Sequence, residues 1–293
     1  MKLNDINAMR KLFITLVCLV AFSINACAVQ YSKADSMKVV SLLKEARQKK
    51  LSKPQECVMF FTKKFYGIPY VASTLEVNKK EQLVVNLRQL DCTTYVENVI
   101  ALTLCVKNRK YSFSDFCKYL SLIRYSKNTP ISYPARLHYY TAWIESNSAA
   151  GICHDIHSPN PPFSATQKIH VDFMSKHTVK YPMLYGNADN IAKIKQMEKS
   201  LEGKSYKYIP KGKIVNTKLL RQTIHNGDII VILTNINGLD TQHLGFAVWH
   251  KDGLHLINAS SIHKKVVEEP MLLYTYLQKK KTMTGIRVVR LNE

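Results

Sequence analysis

From Asp228 onward the sequence abandons helical periodicity for short runs rich in Val, Ile and Leu: Asp228 to Leu233, His243 to Trp249, Leu254 to Ala259 and Lys265 to Glu268. Asn237-Gly238 and Asp252-Gly253 lie between them, and such dipeptides supply the positive φ that tight hairpin turns require. This pattern predicts a β-meander, followed by a helix through Leu272, Leu273, Tyr276 and Leu277 and a last strand from Gly285 to Leu291. Upstream, apolar residues recur every three or four positions. The spacing predicts a helix with Val39, Val40, Leu42, Leu43 and Ala46 inward, capped by Asp35 or Ser36, and a second opened by Pro54 and running through Val58, Phe60 and Phe61. Gly67-Ile68-Pro69-Tyr70 then breaks the pattern, and further helices are expected near Ser114, from Arg136 to Gly151 and from Asn187 to Leu201. Helices first and antiparallel strands afterwards specify an α+β chain, not a doubly wound sheet.

The first 28 residues differ from the rest. Arg10 and Lys11 precede an apolar run, Leu12 to Ile24, too short to span a bilayer, and the small residues Ala26 and Ala28 follow. This reads as an export signal. Two processing routes fit: cleavage after Ala28 at Ala26-Cys27-Ala28, or acylation of Cys27 in a lipobox-like Ile24-Asn25-Ala26-Cys27. The expected location is therefore outside the cytoplasm, in the periplasm or on the outer membrane, with a lipid anchor at Cys27 as the one membrane attachment. Net charge is +21, which suits an anionic wall polymer, anionic headgroups or a nucleic acid. Nucleic acid ranks last, because the lysines are spread along the chain and no helix-turn-helix, zinc-finger or RNA-binding signature is present. The seven cysteines leave five beyond the signal, Cys57, Cys92, Cys105, Cys117 and Cys153. An odd number predicts at least one free thiol. No C-x-x-C or H-E-x-x-H occurs, so neither a metal nor another cofactor is expected.

Cys92 is the thiol with a setting suited to chemistry. A short apolar run, Leu83 to Leu87, gives way there to helical spacing through Val96, Val99 and Thr103, with Asp91 as a good N-cap. That places the thiol in a first helical turn, where the dipole and unpaired N–H groups favour a thiolate. A buried structural cysteine is the plainer alternative. A thiol nucleophile needs a base, and the base an orienting group. His243 begins one meander strand and Asn258 lies near the end of the next, so a hairpin turning at Asp252-Gly253 makes them neighbours across strands. Gly245 between them permits close approach.

Asp91-Cys92-Thr93-Thr94-Tyr95-Val96-Glu97, Asn226-Gly227-Asp228-Ile229-Ile230, His243-Leu244-Gly245-Phe246 and Asn258-Ala259-Ser260-Ser261 stand in the order seen in NlpC-type, papain-like cell-wall hydrolases. Gly67-Ile68-Pro69-Tyr70-Val71, Thr74-Leu75-Glu76, Arg136-Leu137-His138-Tyr139 and Gly285-Ile286-Arg287-Val288 look like the N-acetylmuramoyl-L-alanine amidase-like branch. The resemblance implies one domain over residues 38–293, a nucleophile helix packed on a C-terminal antiparallel meander and a helical insertion at about 110–200. It implies cleavage of the amide between N-acetylmuramic acid, in its 1,6-anhydro form, and L-alanine of the stem peptide, with muropeptides as the partner. Cys92 carries over as nucleophile, His243 as base and Asn258 as third member, where many relatives have His. Tyr70 matches a tyrosine beside the nucleophile and is an expected oxyanion donor. Arg124, Arg136, His138, Tyr139 and Trp143 fall in the insertion and are expected to build a specificity wall, with Glu97, Ser260 and Ser261 as further substrate contacts. Each of these also suits ordinary packing. A stem-peptide endopeptidase with the same triad and a silent exported wall-fragment-binding protein are the competing readings.

Overall fold

The computed structural model describes residues 29–293, so the export-signal and Cys27 readings fall outside the described residues. In chain order the elements are β1 (Val29–Gln30), α1 (Lys33–Gln48), α2 (Pro54–Lys64), β2 (Leu83–Val84), α3 (Cys92–Lys107), α4 (Phe113–Arg124), α5 (Tyr140–Ala149), β3 (Cys153–Ile156), β4 (Ala165–Lys168), α6 (Phe173–Lys176), α7 (Ala188–Leu201), β5 (Ser205–Pro210), α8 (Lys218–Thr223), β6 (Ile229–Thr234), β7 (Thr241–Trp249), β8 (Leu254–Ser260), β9 (Lys265–Glu268), α9 (Leu273–Gln278) and β10 (Met283–Leu291). The meander strands lie where turn chemistry and β-branched runs predict them. One sheet runs β4-β5-β10-β6-β7-β8-β9, with β3 also on β10. All of its pairings are antiparallel.

Four expectations need correction. The first helix is capped by Ser32, not by Asp35 or Ser36. Ser32 and Asp35 form a reciprocal capping box, and Asp35 also accepts the Leu87 N–H at 2.9 Å, tying α1 to the approach to Cys92. The helix expected from Arg136 begins only at Tyr140, because residues 133–135 form a 3-10 turn that Arg136 leaves in extended conformation. The insertion is not purely helical: β3 pairs with the last strand and β4 with β5. The fold also reaches upstream of residue 38, since Val29 and Gln30 pair in parallel with Leu83 and Val84.

One face of the sheet packs Val231, Leu244, Phe246, Ile257 and Ala259 against α3 and its neighbours. The other packs Ile232, Ala247, Leu256 and Val288 against Leu273, Tyr276 and Leu277 of α9. A third cluster, with Tyr139, Met174, Leu184, Ile194 and Leu201, holds the insertion together. Helix α3 is buried without interruption from Thr94 to Val106. Tyr95 seats it edge-on between Phe65 and Phe246, with ring centroids 5.9 and 5.7 Å away.

The helix carries one carboxylate into this interior. Glu97 is 2 % exposed, and Arg124 Nε donates to its Oε2 at 2.7 Å while Arg124 Nη1 donates to the Val84 carbonyl at 2.7 Å. One guanidinium therefore joins α3, α4 and β2. Removing one partner of a buried pair leaves the other charge uncompensated and costs about 3–5 kcal/mol. Arg124→Ala should lower the unfolding free energy by about that amount, measured by urea denaturation; a change under about 1 kcal/mol would contradict this role.

Candidate active site

Asp91 caps α3 through a second capping box, accepting the Thr94 N–H at 2.8 Å while the Thr94 hydroxyl accepts from the Asp91 N–H at 3.0 Å. This fixes Cys92 as the first helical residue, with its own N–H ahead of the first intrahelical bond. The thiol is half-buried, whereas Cys57, Cys105, Cys117 and Cys153 are buried, and all five are free. The Thr93 hydroxyl and the N–H groups of Thr93 and Leu244 are turned toward the Cys92 sulfur.

Leu244 reaches the sulfur because of how β7 meets its neighbours. On the β8 side the ladder ends at Phe246–Ile257, and beyond it the strands part. On the β6 side the register slips between Ile232–His243 and Leu233–Thr241, leaving Gln242 as the extra residue of a bulge. Bulges re-aim the side chains beside them. Gln242 is anchored by hydroxyls, Thr282 donating at 2.8 Å and Thr234 at 3.2 Å.

His243 and Asn258 lie on one face of the parted strands, and His243 Nε2 stands 2.8 Å from Asn258 Oδ1. His243 reaches Asn258 across Gly245, where a Cβ would meet the Ile257 carbonyl at 2.6 Å. Asn258 is fully buried and His243 is 8 % exposed. His243 Nδ1 has no hydrogen-bond partner among the described residues, and the ring of Tyr276 lies 6.2 Å away. Asn258 Nδ2 donates to Glu269 Oε1 at 3.1 Å, and Glu269 Oε2 is 3.1 Å from His263 Nε2. Glu269, His263, Gln242 and Tyr276 are not among the site residues that the sequence points to; the signal available for Glu269 is a carboxylate followed at once by Pro270 at the end of a strand.

Tyr70 is brought to Cys92 by main-chain pairing. Its N–H donates to the Lys264 carbonyl at 2.9 Å, and the flanking Pro69 carbonyl and Val71 N–H bond Leu90, two residues before Cys92. Burial first, and then the charges of Cys92 and Asp91, push the Tyr70 phenol up to about 12. It remains a hydroxyl donor at any ordinary pH.

The electrostatics differ from the helix-dipole expectation of a ready thiolate. Burial, followed by the Asp91 carboxylate, pushes the Cys92 thiol up to about 12, against the pull of Thr93 and Leu244. Burial also pushes His243 below the usual imidazole range, against the raising effect of Asn258. Both shifts favour the neutral thiol and the neutral imidazole at rest.

Most of the expected specificity wall is committed to the protein itself. Glu97 and Arg124 hold each other inside the core. Arg136, 8 % exposed, bonds Glu76 and Glu81 at 2.9 Å each. The Tyr139 hydroxyl donates to Glu198 at 2.8 Å and accepts the Met174 N–H. Trp143 is fully buried against Tyr140, with ring centroids 4.7 Å apart. Ser260 is fully buried and accepts the His263 N–H. These six are internal, because each polar head already has a partner within the protein or, for Trp143, no solvent access. His138 bonds the Tyr133 carbonyl through Nε2 at 2.7 Å and is pushed down to about 3 by burial and then by Arg136; it and Ser261 are partly exposed. Among the described residues, no three His, Cys, Asp or Glu side chains converge as a metal site.

Comparison with known proteins agrees with this architecture. The model of the family described as N-acetylmuramoyl-L-alanine amidase-like matches residues 60–286. A crystal structure of an N-acetylmuramoyl-L-alanine amidase from Bacteroides uniformis is 37% identical with a TM-score of 0.76, covering 82% of this chain and 99% of its own. A Bacteroides fragilis structure with a provisional xylanase assignment is likewise 37% identical, with a TM-score of 0.73 over 78% of this chain and 99% of its own. A Legionella pneumophila protein of the family DUF1460 shares the fold at 23% identity, with a TM-score of 0.66 over 89% of this chain and 97% of its own. No match is found among curated proteins. Matched over most of its length, the chain belongs to the N-acetylmuramoyl-L-alanine amidase-like family of peptidoglycan hydrolases.

Proposed function

We propose that this protein is a cysteine-dependent amidase of papain-like, NlpC type that cleaves the bond between N-acetylmuramic acid, in 1,6-anhydro muropeptides, and L-alanine. The observation that carries the reading is the 2.8 Å contact of His243 Nε2 with Asn258 Oδ1, on the strand whose next N–H is turned to the Cys92 sulfur. With Nε2 engaged, Nδ1 is the nitrogen left to serve the thiol.

Cys92 Sγ attacks the lactyl carbonyl carbon as its proton passes to His243 Nδ1, so the nucleophile is made in the step that uses it. The carbonyl oxygen becomes an oxyanion, met by the Cys92 N–H and the Tyr70 hydroxyl. Collapse breaks the C–N bond, and the imidazolium returns its proton to the departing L-alanine amine. Water, deprotonated by His243, then hydrolyses the thioester, releasing the muramic acid carboxylate and restoring the thiol. Ser261 and His138 are the expected substrate-facing residues that keep exposure. Export through the N-terminal signal, with cleavage after Ala28 or acylation at Cys27, would remove the +2 carried by Lys2, Asp5, Arg10 and Lys11 and bring a chain of net charge +19 to an anionic polymer.

Purified protein incubated with a defined anhydro-disaccharide peptide should give free disaccharide and an intact peptide beginning at L-alanine, read by mass spectrometry. Cys92→Ala and His243→Ala should each lose at least about a thousandfold in kcat without loss of thermal stability; near-normal turnover in either would refute the mechanism. A shortened peptide left on the sugar would make the enzyme an endopeptidase instead.

The neutral resting pair sets the pH dependence of alkylation. The thiolate is the disfavoured form, so iodoacetamide labelling of Cys92, resolved from the four buried thiols by peptide mapping, should keep rising with pH through 9. A plateau beginning below pH 7 would show a resting thiolate–imidazolium pair. Metabolic palmitate labelling of the full chain, lost in Cys27→Ser, is expected if the anchor forms; an unlabelled wild type would refute acylation.

A further inference from the structure

The Asn258 amide has a donor end and an acceptor end, and the two are not interchangeable where it sits. Glu269, 1 % exposed, presents one carboxylate oxygen to Asn258 at 3.1 Å and the other to His263 Nε2 at 3.1 Å. A carboxylate oxygen only accepts, so the end of Asn258 that meets it is the NH2 group. The opposite end, which meets His243 Nε2 at 2.8 Å, is then the carbonyl oxygen, and this also only accepts. His243 Nε2 must therefore carry the ring proton, and Nδ1 is left unprotonated.

We infer that Glu269 is a positioning residue that sets the tautomer of His243 through Asn258. This rests on the Cys92–His243–Asn258 reading of the site. Without Glu269 the amide could turn over, offer its NH2 group to the imidazole and stabilise the tautomer whose proton sits on Nδ1, which cannot accept from the thiol. The arrangement lies diagonally over one sheet face: His243 on β7, Asn258 on β8 and Glu269 just past β9, where the Glu269 N–H bonds the Leu256 carbonyl at 2.8 Å. His263, in the β8–β9 turn, holds the second carboxylate oxygen, and its own N–H is held by the Ser260 hydroxyl at 3.2 Å. The Glu269 head thus has a donor on each side, the fully buried Asn258 amide and the more exposed His263 ring, and little freedom to swing.

The test reads the tautomer directly. In full-length protein labelled with 15N-histidine, long-range proton–nitrogen correlation at neutral pH should show His243, assigned by loss of its signals in His243→Gln, protonated at Nε2. Glu269→Gln, which keeps an accepting oxygen for Asn258, should retain that pattern and most of the activity. Glu269→Leu should populate the Nδ1–H tautomer and lower kcat about 10- to 100-fold with KM little changed. In an Asn258→Ala background the same substitution should cause no further loss. A wild-type His243 protonated at Nδ1, an unchanged tautomer in Glu269→Leu, or an additive loss in the double variant would each overturn the inference. The wild-type spectrum decides even if Glu269→Leu does not fold. No substrate is involved in that spectrum, so failure of the amidase reading and failure of this inference are separately visible.

Discussion

A helix buried along nearly its whole length carries its charged and capping groups into the interior, and the rest of this structure is arranged to meet those of α3. Its first turn is closed by the Asp91–Thr94 box, and Asn98 returns to the Thr94 carbonyl at 2.7 Å. Glu97 is met by Arg124 at 2.7 Å. The Arg124 interaction also recruits β2, and through it the short parallel pair with β1. These contacts fix the axis and the start of α3, and the start of α3 is Cys92. The position of the thiol is thus a consequence of helix burial more than of any contact the thiol itself makes.

The sheet meets the helix with a matching irregularity. A regular ladder between β7 and β8 would occupy the main chain where the Leu244 N–H turns to the sulfur. Parting the strands beyond Phe246–Ile257 and inserting Gln242 on the other side frees that donor and sets the imidazole against Asn258. Burial, followed by the Asp91 carboxylate, resists a standing thiolate here and outweighs the hydrogen bonds from Thr93 and Leu244 that favour one.

Much of the frame could be read from the sequence because it depends on short-range periodicity. Turn dipeptides and β-branched runs located the meander, Pro54 and Asn187 marked helix starts, and the Asp252-Gly253 turn brought His243 toward Asn258. What could not be read depends on partners distant in sequence. Arg124 and Glu97 are 27 residues apart, and neither shows by itself that it is buried. Arg136 had the chemistry of a substrate clamp until Glu76 and Glu81 were seen to occupy it. Strands β3 and β4 are four residues each and largely polar; their pairing is decided by the free edges of β10 and β5. Asp35 looked like a cap because it is a good one, yet it is the returning half of the Ser32 box. The Gln242 bulge leaves no trace in hydrophobic alternation, since it is a slip of one residue.

The outer edge of β9 is closed by residues 67–70, with the Gly67 N–H on the Val266 carbonyl, the Val266 N–H on the Ile68 carbonyl and the Tyr70 N–H on the Lys264 carbonyl. An edge so covered cannot template pairing with another chain. The same few hydrogen bonds hold Tyr70 beside Cys92, so this segment at once seals the sheet and bounds the surroundings of the thiol. Local opening at an edge is among the lowest-energy excursions a folded protein makes. Opening of residues 67–70 would uncover the β9 edge and release Tyr70 together, while the His243–Asn258 contact, which these residues do not make, would stay in place.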